Sequence, residues 1–216
     1  MNPDSGNSDP PSAPLCLDIP DANFILRSSD HVNFRVHKSL LSISSPFFKD
    51  LLSLPQPPDD ELVDGLPVVQ VPENADLLNT LVSLLYPAPP VIPRSYKQVF
   101  ALLAACQKYD MVSMQSYIRE EVKRGSFPEP NRTEAFCAYG IASGMGLEPE
   151  MKHAAHLTLG QPMSFAILGE DLRSFTGPAL RDLYLYRAIR AANSDHGHLV
   201  SKLKSFERGR GRGRGR

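Results

Sequence analysis

Cysteine is scarce in this 216-residue sequence. The three cysteines are Cys16, Cys106 and Cys137, and no two of them form a C-x-x-C motif. Isolated cysteines, odd in number, do not predict a disulfide framework. We therefore expect a protein of a reducing, intracellular compartment, either the cytoplasm or the nucleus.

Long uncharged stretches are also missing. The longest, residues 77–93, has 17 residues and carries four prolines near its end, which a membrane-spanning helix would not tolerate. The first residues, MNPDSGNSDPPSAP, have neither the basic start nor the apolar core of a secretory signal. The sequence predicts a chain without a signal peptide or a membrane segment.

Motifs of catalysis and of nucleotide binding are not found either. The sequence has no G-x-S-x-G and no phosphate-loop lysine motif, and the glycines of YGIASGMGLEP follow a helical pattern without matching G-x-G-x-x-G. Two histidine pairs, His153 with His156 and His196 with His198, lack cysteine or carboxylate partners at metal-ligand spacing. We expect no enzymatic activity, no metal, no cofactor and no small-molecule substrate.

Charge is distributed unevenly along the chain. The formal net charge is −1, but five arginines in the tail ERGRGRGRGR contribute +5, which leaves −6 over residues 1–207. A role in nucleic-acid binding would therefore depend on that tail, namely on Arg208, Arg210, Arg212, Arg214 and Arg216. Such mobile guanidinium groups contact phosphates or stack on bases, so one hypothesis is weak RNA binding. The other is a disordered terminus or a translated simple repeat.

Hydrophobic periodicity predicts a β-hairpin near the start of the chain. Residues 1–14 are rich in proline, serine and aspartate and are expected to be a disordered leader. In the second of two short runs that follow, Val32, Phe34 and Val36 alternate with polar residues, which is typical of a half-buried strand. A later run, PVVQVP, predicts a third strand.

Helices are predicted after the hairpin and through the rest of the chain. Ser39 is expected to cap a first helix that Pro46 interrupts, and residues 53–66 are expected to form a loop. Asn74 is expected to cap the apolar helix ADLLNTLVSLLY, and Gly125 to end a later one. After the linker SFPEPN, further helices are predicted near residues 132–145, 149–159, 162–172 and 178–193.

Three features in this order resemble the BTB/POZ domain family. They are Asp21 before the first strand, FRVHKSLLSISSPFFKDLL at residues 34–52, and VVQVPENADLLNTLVSLLYP at residues 68–87. In that family an aspartate opens the first strand, a His-Lys or His-Arg pair ends the second, and L-x-x-x-S-x-F/Y-F forms the first core helices. The resemblance covers about residues 18–125.

The resemblance implies an α+β fold. Over residues 18–125 it implies a small three-stranded sheet covered by helical hairpins. An all-α extension, loosely similar to the BACK-type extension of that family, would follow over residues 131–205, and a disordered Arg-Gly tail over residues 207–216. The implied function is non-enzymatic protein–protein interaction, with the chain itself or another protein as partner.

Two sites follow from the resemblance. Asp21 and Lys38 match a charged pocket at the interface of dimeric family members; an intrachain ion pair, which contributes only ~0–1 kcal/mol, is the alternative. Because residues 1–20 contain five prolines, the helix that precedes the aspartate in strand-exchanged dimers is not expected. Leu54, Pro55 and Gln56 are the nearest match to the hydrophobic-x-Glu motif of members that bind a cullin, and they lack its acid.

The role of His37 can also be predicted from the sequence. With no second ligand at metal spacing, it is predicted to hydrogen-bond locally at the end of the second strand.

Overall fold

The computed structural model describes residues 19, 21–54, 61–163 and 175–192. These residues form four strands and eight helices: β1 Phe24–Arg27, β2 Asn33–Val36, α1 Lys38–Ser44, α2 Pro46–Ser53, β3 Leu62–Val63, β4 Leu66–Gln70, α3 Ala75–Ser83, α4 Tyr96–Lys108, α5 Val112–Lys123, α6 Ala135–Gly144, α7 Glu148–Leu157 and α8, residues 177–192. The expected leader, the Arg-Gly tail and most of the helix expected at 162–172 lie outside the described residues. The α+β fold is confirmed.

The chain divides into two compact units after Glu129. The first contains the sheet and α1 to α5, and the second contains α6 to α8. No helix in the described ranges has both the length and the apolar character needed to cross a membrane.

The sheet is mixed, with the strand order β2-β1-β4-β3. The predicted hairpin is confirmed, because β1 and β2 pair antiparallel with Phe24 opposite Val36. The central pair, β1 and β4, is parallel and sets Ile25 opposite Val68. Phe24 and Ile25 are almost fully buried, so β1 forms the inner strand on which the helices pack.

One strand was not expected. Residues 53–66 were predicted to be a loop, yet Leu62 and Val63 form β3, which pairs antiparallel with the start of β4. The two residues between the strands have positive φ angles, 52° at Asp64 and 75° at Gly65. This is the geometry of a two-residue hairpin turn, for which Asp-Gly is a favoured sequence. The sheet therefore has four strands where three were expected.

The start of α1 also differs from the prediction. Ser39 lies inside the helix, and His37 occupies the capping position without a side-chain capping bond. The side chain of Asn23, the residue before β1, replaces that cap, since its Oδ1 accepts a hydrogen bond of 2.9 Å from the N–H of Lys38. The cap is thus supplied from outside the helix, which a local sequence pattern does not reveal.

The break at Pro46 is confirmed. Ser45 is extended, and Pro46 starts α2, where its missing N–H is not needed. The hydroxyl of Ser45 accepts a hydrogen bond of 3.0 Å from the N–H of Phe48 and donates one to the carbonyl oxygen of Tyr109. Ser45 is fully buried, so one side chain caps α2 and ties it to the end of α4.

Two other helix ends of the first unit have the predicted caps. The side chain of Asn74 accepts a hydrogen bond of 3.1 Å from the N–H of Leu77, as expected for the cap of α3. Gly125 has φ 76° and donates to the carbonyl of Val122, while Ser126 donates to that of Glu121. This pair of bonds is the Schellman ending, for which glycine is preferred.

In the second unit, a half-buried arginine holds two helices together. The guanidinium of Arg187, on α8, donates hydrogen bonds to the carbonyl oxygens of Thr158 and Gln161, which follow the end of α7. It also lies 5.3 Å from the ring centroid of Phe136. A cation beside the carbonyl end of a helix stabilises its dipole. Partial burial lowers the pKa of Arg187.

The end of α4 places a side chain in a conformation that glycine prefers. Asp110 has φ 54°, its N–H donates to the carbonyl of Gln107, and Met111 donates to that of Cys106. This is again a Schellman ending, but with aspartate in the left-handed position. Its exposed carboxylate also lies next to the negative end of the helix dipole.

We therefore expect Asp110→Gly to stabilise the protein. Relief of the left-handed strain and removal of the charge should together raise the free energy of unfolding by about 0.5–1 kcal/mol, after the greater entropy of glycine in the unfolded chain is subtracted. Asp110→Asn, which removes only the charge, should give a smaller increase. Denaturant unfolding of the three proteins measures both effects, and a loss of stability in Asp110→Gly would contradict this account.

Candidate functional site

The fold brings Asp21 and Lys38 to the same end of the hairpin. Asp21 lies in an exposed turn before β1, and Lys38 follows β2 as the first residue of α1. Among the described residues, no ion pair within 4.0 Å involves either of them. The Lys38 ammonium lies instead 5.4 Å from the ring centroid of Phe24. The intrachain ion pair given as the alternative is therefore not formed.

His37 hydrogen-bonds over a long sequence distance. The expectation of a local bond is wrong, because both its N–H and its Nδ1 lie 3.1 Å from the hydroxyl oxygen of Tyr86, which is 49 residues away. That oxygen accepts from the backbone N–H, and its hydrogen bond with Nδ1 can form with either neutral tautomer of the ring, because a hydroxyl can both donate and accept. The phenol joins the start of α1 to the segment after α3, and burial raises its pKa.

An exposed apolar face runs along α2. Phe47 and Leu51 stand at positions i and i+4 on one side of α2, and Leu54, at i+7, is the extended residue that directly follows the helix. Phe47 is 45% exposed and Leu54 is 62% exposed, whereas Leu51 is half-buried. Leu54 is the first residue of the expected partner loop; Pro55 and Gln56 lie outside the described residues.

The end of α4 supports the N-terminal part of this face. The ring centroid of Phe47 lies 5.4 Å from that of Tyr109, and the ring of Phe48 lies 4.8 Å from it on the buried side. Three residues after Tyr109, Val112 starts α5 and is 64% exposed. We use the name α2 face for Phe47, Leu51 and Leu54.

Tyr109 is also hydrogen-bonded to a buried carboxylate. Its hydroxyl donates to Oε2 of Glu73, whose side chain is only 8% exposed, and the Lys108 ammonium lies 3.0 Å from Oε1 of the same carboxylate. Burial, together with the hydrogen bond and the negative charge of Glu73, raises the pKa of Tyr109 well above its ordinary value. The backbone of Glu73 in turn accepts from the N–H of Ser29 at the hairpin turn.

The expected nucleic-acid tail, Arg208 to Arg216, lies outside the described residues. Within the described ranges, no group of three or more histidine, cysteine, aspartate or glutamate side chains is arranged to hold a metal ion. Both described cysteines, Cys106 and Cys137, are buried, and burial raises the pKa of the Cys106 thiol to about 12. Such a thiol is not activated as a nucleophile.

Sequence reasoning missed Asn23, Glu73, Tyr86 and Tyr109. Tyr109 and Glu73 are 36 residues apart, and nothing in the spacing of either predicts the other. The exposed position of Phe47 was also missed, because Phe47 stands at the F/Y position of the family pattern that was expected to form the first core helices. The only local signal was Pro46, which ends α1 and so changes the direction in which the next residues point.

A comparison with known protein families agrees with the resemblance described above. The family model for the BTB/POZ domain matches residues 20–126. Among solved structures, the BTB domain of zebrafish PATZ1 is similar at 17% identity and a TM-score of 0.35, over 48% of this chain and 76% of that chain. No curated protein matches.

Replacement of Tyr109 by Phe should destabilise the first unit. The change keeps the ring packing but removes a donor from a buried carboxylate, and the loss of a hydrogen bond to a charged group costs about 1.5–3 kcal/mol. Denaturant unfolding at neutral pH measures this cost, and Tyr184→Phe, at an exposed tyrosine of α8, is the matched control.

The pH dependence gives a second test of the same bond. The folded state raises the pKa of Tyr109 above its ordinary value of 10.0, so its contribution to stability is complete below pH 10 and is lost as the pH rises further. Between pH 9 and about pH 11, the wild type should therefore lose more stability than Tyr109→Phe. Parallel curves for the two proteins would show that this phenol is not held protonated by the fold.

Proposed function

Because this chain carries a BTB/POZ domain over residues 20–126, it is a protein-interaction module, and we propose that it serves as a non-enzymatic adaptor to a cullin-based ubiquitin ligase. In this proposal the α2 face receives the cullin. The observation that carries it is the exposure of Phe47 on α2 and of Leu54 directly after it, while Phe48 on the same helix is fixed in the core.

The chemistry of the α2 face suits a helical partner. Large apolar side chains at i, i+4 and i+7 are the anchors with which helices recognise one another in a groove. The partial exposure of Phe47 means that a partner would remove apolar surface from water without unfolding the domain, which is the main source of affinity in such contacts. Because Ser45 and Tyr109 fix the start of α2, this part of the helix loses little conformational entropy when a partner binds.

Gln56 stands where the resemblance to cullin-binding members implies an acid. The proposal therefore relies on apolar contacts. Charge–charge attraction is screened by salt, but apolar contacts are not, so the affinity should vary little with ionic strength.

The test uses the full chain with purified N-terminal domains of the individual cullins as probes, by isothermal titration calorimetry. Leu54→Asp should weaken the binding of the responding cullin at least about tenfold, since a charge replaces an exposed apolar anchor at no cost to the core. Leu62→Asp is the matched control, because Leu62 on β3 is 61% exposed and does not belong to the α2 face. It should change the affinity less than twofold.

Two results would contradict the adaptor proposal: no cullin domain binds, or Leu54→Asp and Leu62→Asp weaken binding equally. A version that ends at Phe206 is measured in parallel, with and without RNA. RNA association through the five tail arginines is the second candidate function, supported by their alternation with glycine. RNA binding that disappears in the shortened version, without any cullin binding, would favour that candidate.

We further propose that Asp21 and Lys38 contribute to self-association. Their side chains lie at one end of the hairpin, and neither has an ion-pair partner among the described residues. In a two-fold symmetric dimer, Asp21 of one copy can meet Lys38 of the other, and the reverse contact forms at the same time. This contact would set specificity and orientation more than affinity.

Charge reversal tests this contact. Asp21→Lys and Lys38→Glu should each weaken the dimer several-fold, because like charges then face each other twice, and the double variant should recover most of the loss. Sedimentation equilibrium gives the dissociation constants. Lys97→Glu, at an exposed lysine of α4, is the control for net charge. Single variants that dimerise as the wild type does, or a wild type that remains monomeric, would remove Asp21 and Lys38 as interface residues.

A further inference from the structure

The connector between α3 and α4 is an exposed, proline-rich segment. Residues 87–93 read PAPPVIP, and residues 89–93 belong to no helix or strand. Proline fixes its own φ near −65° and drives the residue before it to extended angles. Four prolines within seven residues therefore favour the polyproline II conformation, a left-handed helix with three residues per turn.

The domain holds this segment at defined points. The N–H of Val91 donates a hydrogen bond of 2.9 Å to the hydroxyl of Ser83, and Ser83 is buried. The N–H of Arg94 donates to Oε1 of Gln98 at 2.6 Å, and Pro93 between these two points is buried. The segment is thus ordered before any partner arrives, which reduces the entropy lost on binding.

One edge of the segment is free. In a helix with three residues per turn, Pro89 and Ile92 share an edge. Pro89 is exposed, and Ile92 is 58% exposed, although isoleucine is one of the residues most often buried. Pro90 is half-buried and Pro93 is buried, so the edge that contains them faces the domain.

A positive charge follows this edge directly. Arg94 is exposed, and no carboxylate lies within 4.0 Å of its guanidinium in the part of the chain that the structure describes. An apolar proline ridge that ends in an unpaired cation is complementary to an aromatic-lined groove with an acidic rim.

We propose that residues 88–94 are a ligand for an SH3-type domain. Pro89 and Ile92 enter the apolar pockets between aromatic side chains, and Arg94 pairs with a carboxylate at the rim of the groove. This inference is independent of the adaptor proposal, because it involves neither the α2 face nor a cullin.

The test uses the labelled full chain on an array of purified SH3 domains, followed by titration of every domain that responds. Pro89→Ala and Arg94→Glu should each weaken the interaction about tenfold or more, as expected for anchor residues. Two matched controls should change it less than twofold. They are Pro87→Ala, at an exposed proline two positions before Pro89, and Lys97→Glu, which changes the net charge as Arg94→Glu does.

The Arg-Gly tail needs a separate control, since its arginines can attract acidic SH3 surfaces without any proline contact. A version that ends at Phe206 should bind the same SH3 domains within twofold of the full chain. Three results would overturn the proposal: no SH3 domain binds, binding disappears with the tail, or Pro89→Ala and Pro87→Ala have equal effects. Thermal unfolding of each variant is measured as well. A midpoint at or near that of the wild type shows that the variant is folded, so its loss of SH3 binding comes from the changed side chain.

Discussion

The hydrogen bonds and ring contacts of Tyr109 hold the first unit together. Its hydroxyl donates to the buried carboxylate of Glu73, its carbonyl accepts from the hydroxyl of Ser45, and its ring packs against Phe47 and Phe48. These contacts join the end of α4 to the start of α3, the start of α2 and, through the backbone of Glu73, the hairpin turn. A carboxylate that is 8% exposed is costly to leave unpaired, so this arrangement is stable only when all its partners are in place.

This constraint explains how an apolar side chain can stay exposed without loss of order. Pro46 and the Ser45 cap fix where α2 begins, so Phe48 turns into the core while Phe47, its neighbour, remains at the surface. Exposed apolar side chains that share a helix face indicate an interaction surface when the helix is rigid. The proline segment before α4 also combines a fixed backbone with an exposed apolar side chain. Ser83 and Gln98 accept hydrogen bonds from its backbone, and Ile92 is exposed to solvent.

Much of the fold could be predicted from local signals. The alternation of Phe34 and Val36, the cap at Asn74 and the glycine at 125 each specify their element through neighbours in sequence. The strand β3 could have been predicted in the same way, because Asp64-Gly65 is a hairpin signal that the surrounding prolines and acids obscured. The cap of α1 could not be predicted in this way, because it comes from Asn23, which lies 15 residues earlier, just before β1.

The candidate sites were less accessible from the sequence. The resemblance indicated Asp21, Lys38 and Leu54 through their order along the chain, and their roles stay predictions. Glu73 and Tyr109 are 36 residues apart in the sequence, and His37 and Tyr86 are 49 residues apart. Neither contact can therefore be predicted from a local sequence pattern. Exposure of Phe47 depends on the direction of α2 in the folded domain, which periodicity alone does not give.

The most direct measurement of the central claim, that the α2 face receives the partner, is hydrogen exchange of the full chain alone and with a saturating cullin N-terminal domain. The account predicts slower exchange confined to the backbone amides of α2. Protection confined to α8, or a complex in which α2 exchanges as it does in the free protein, would contradict it.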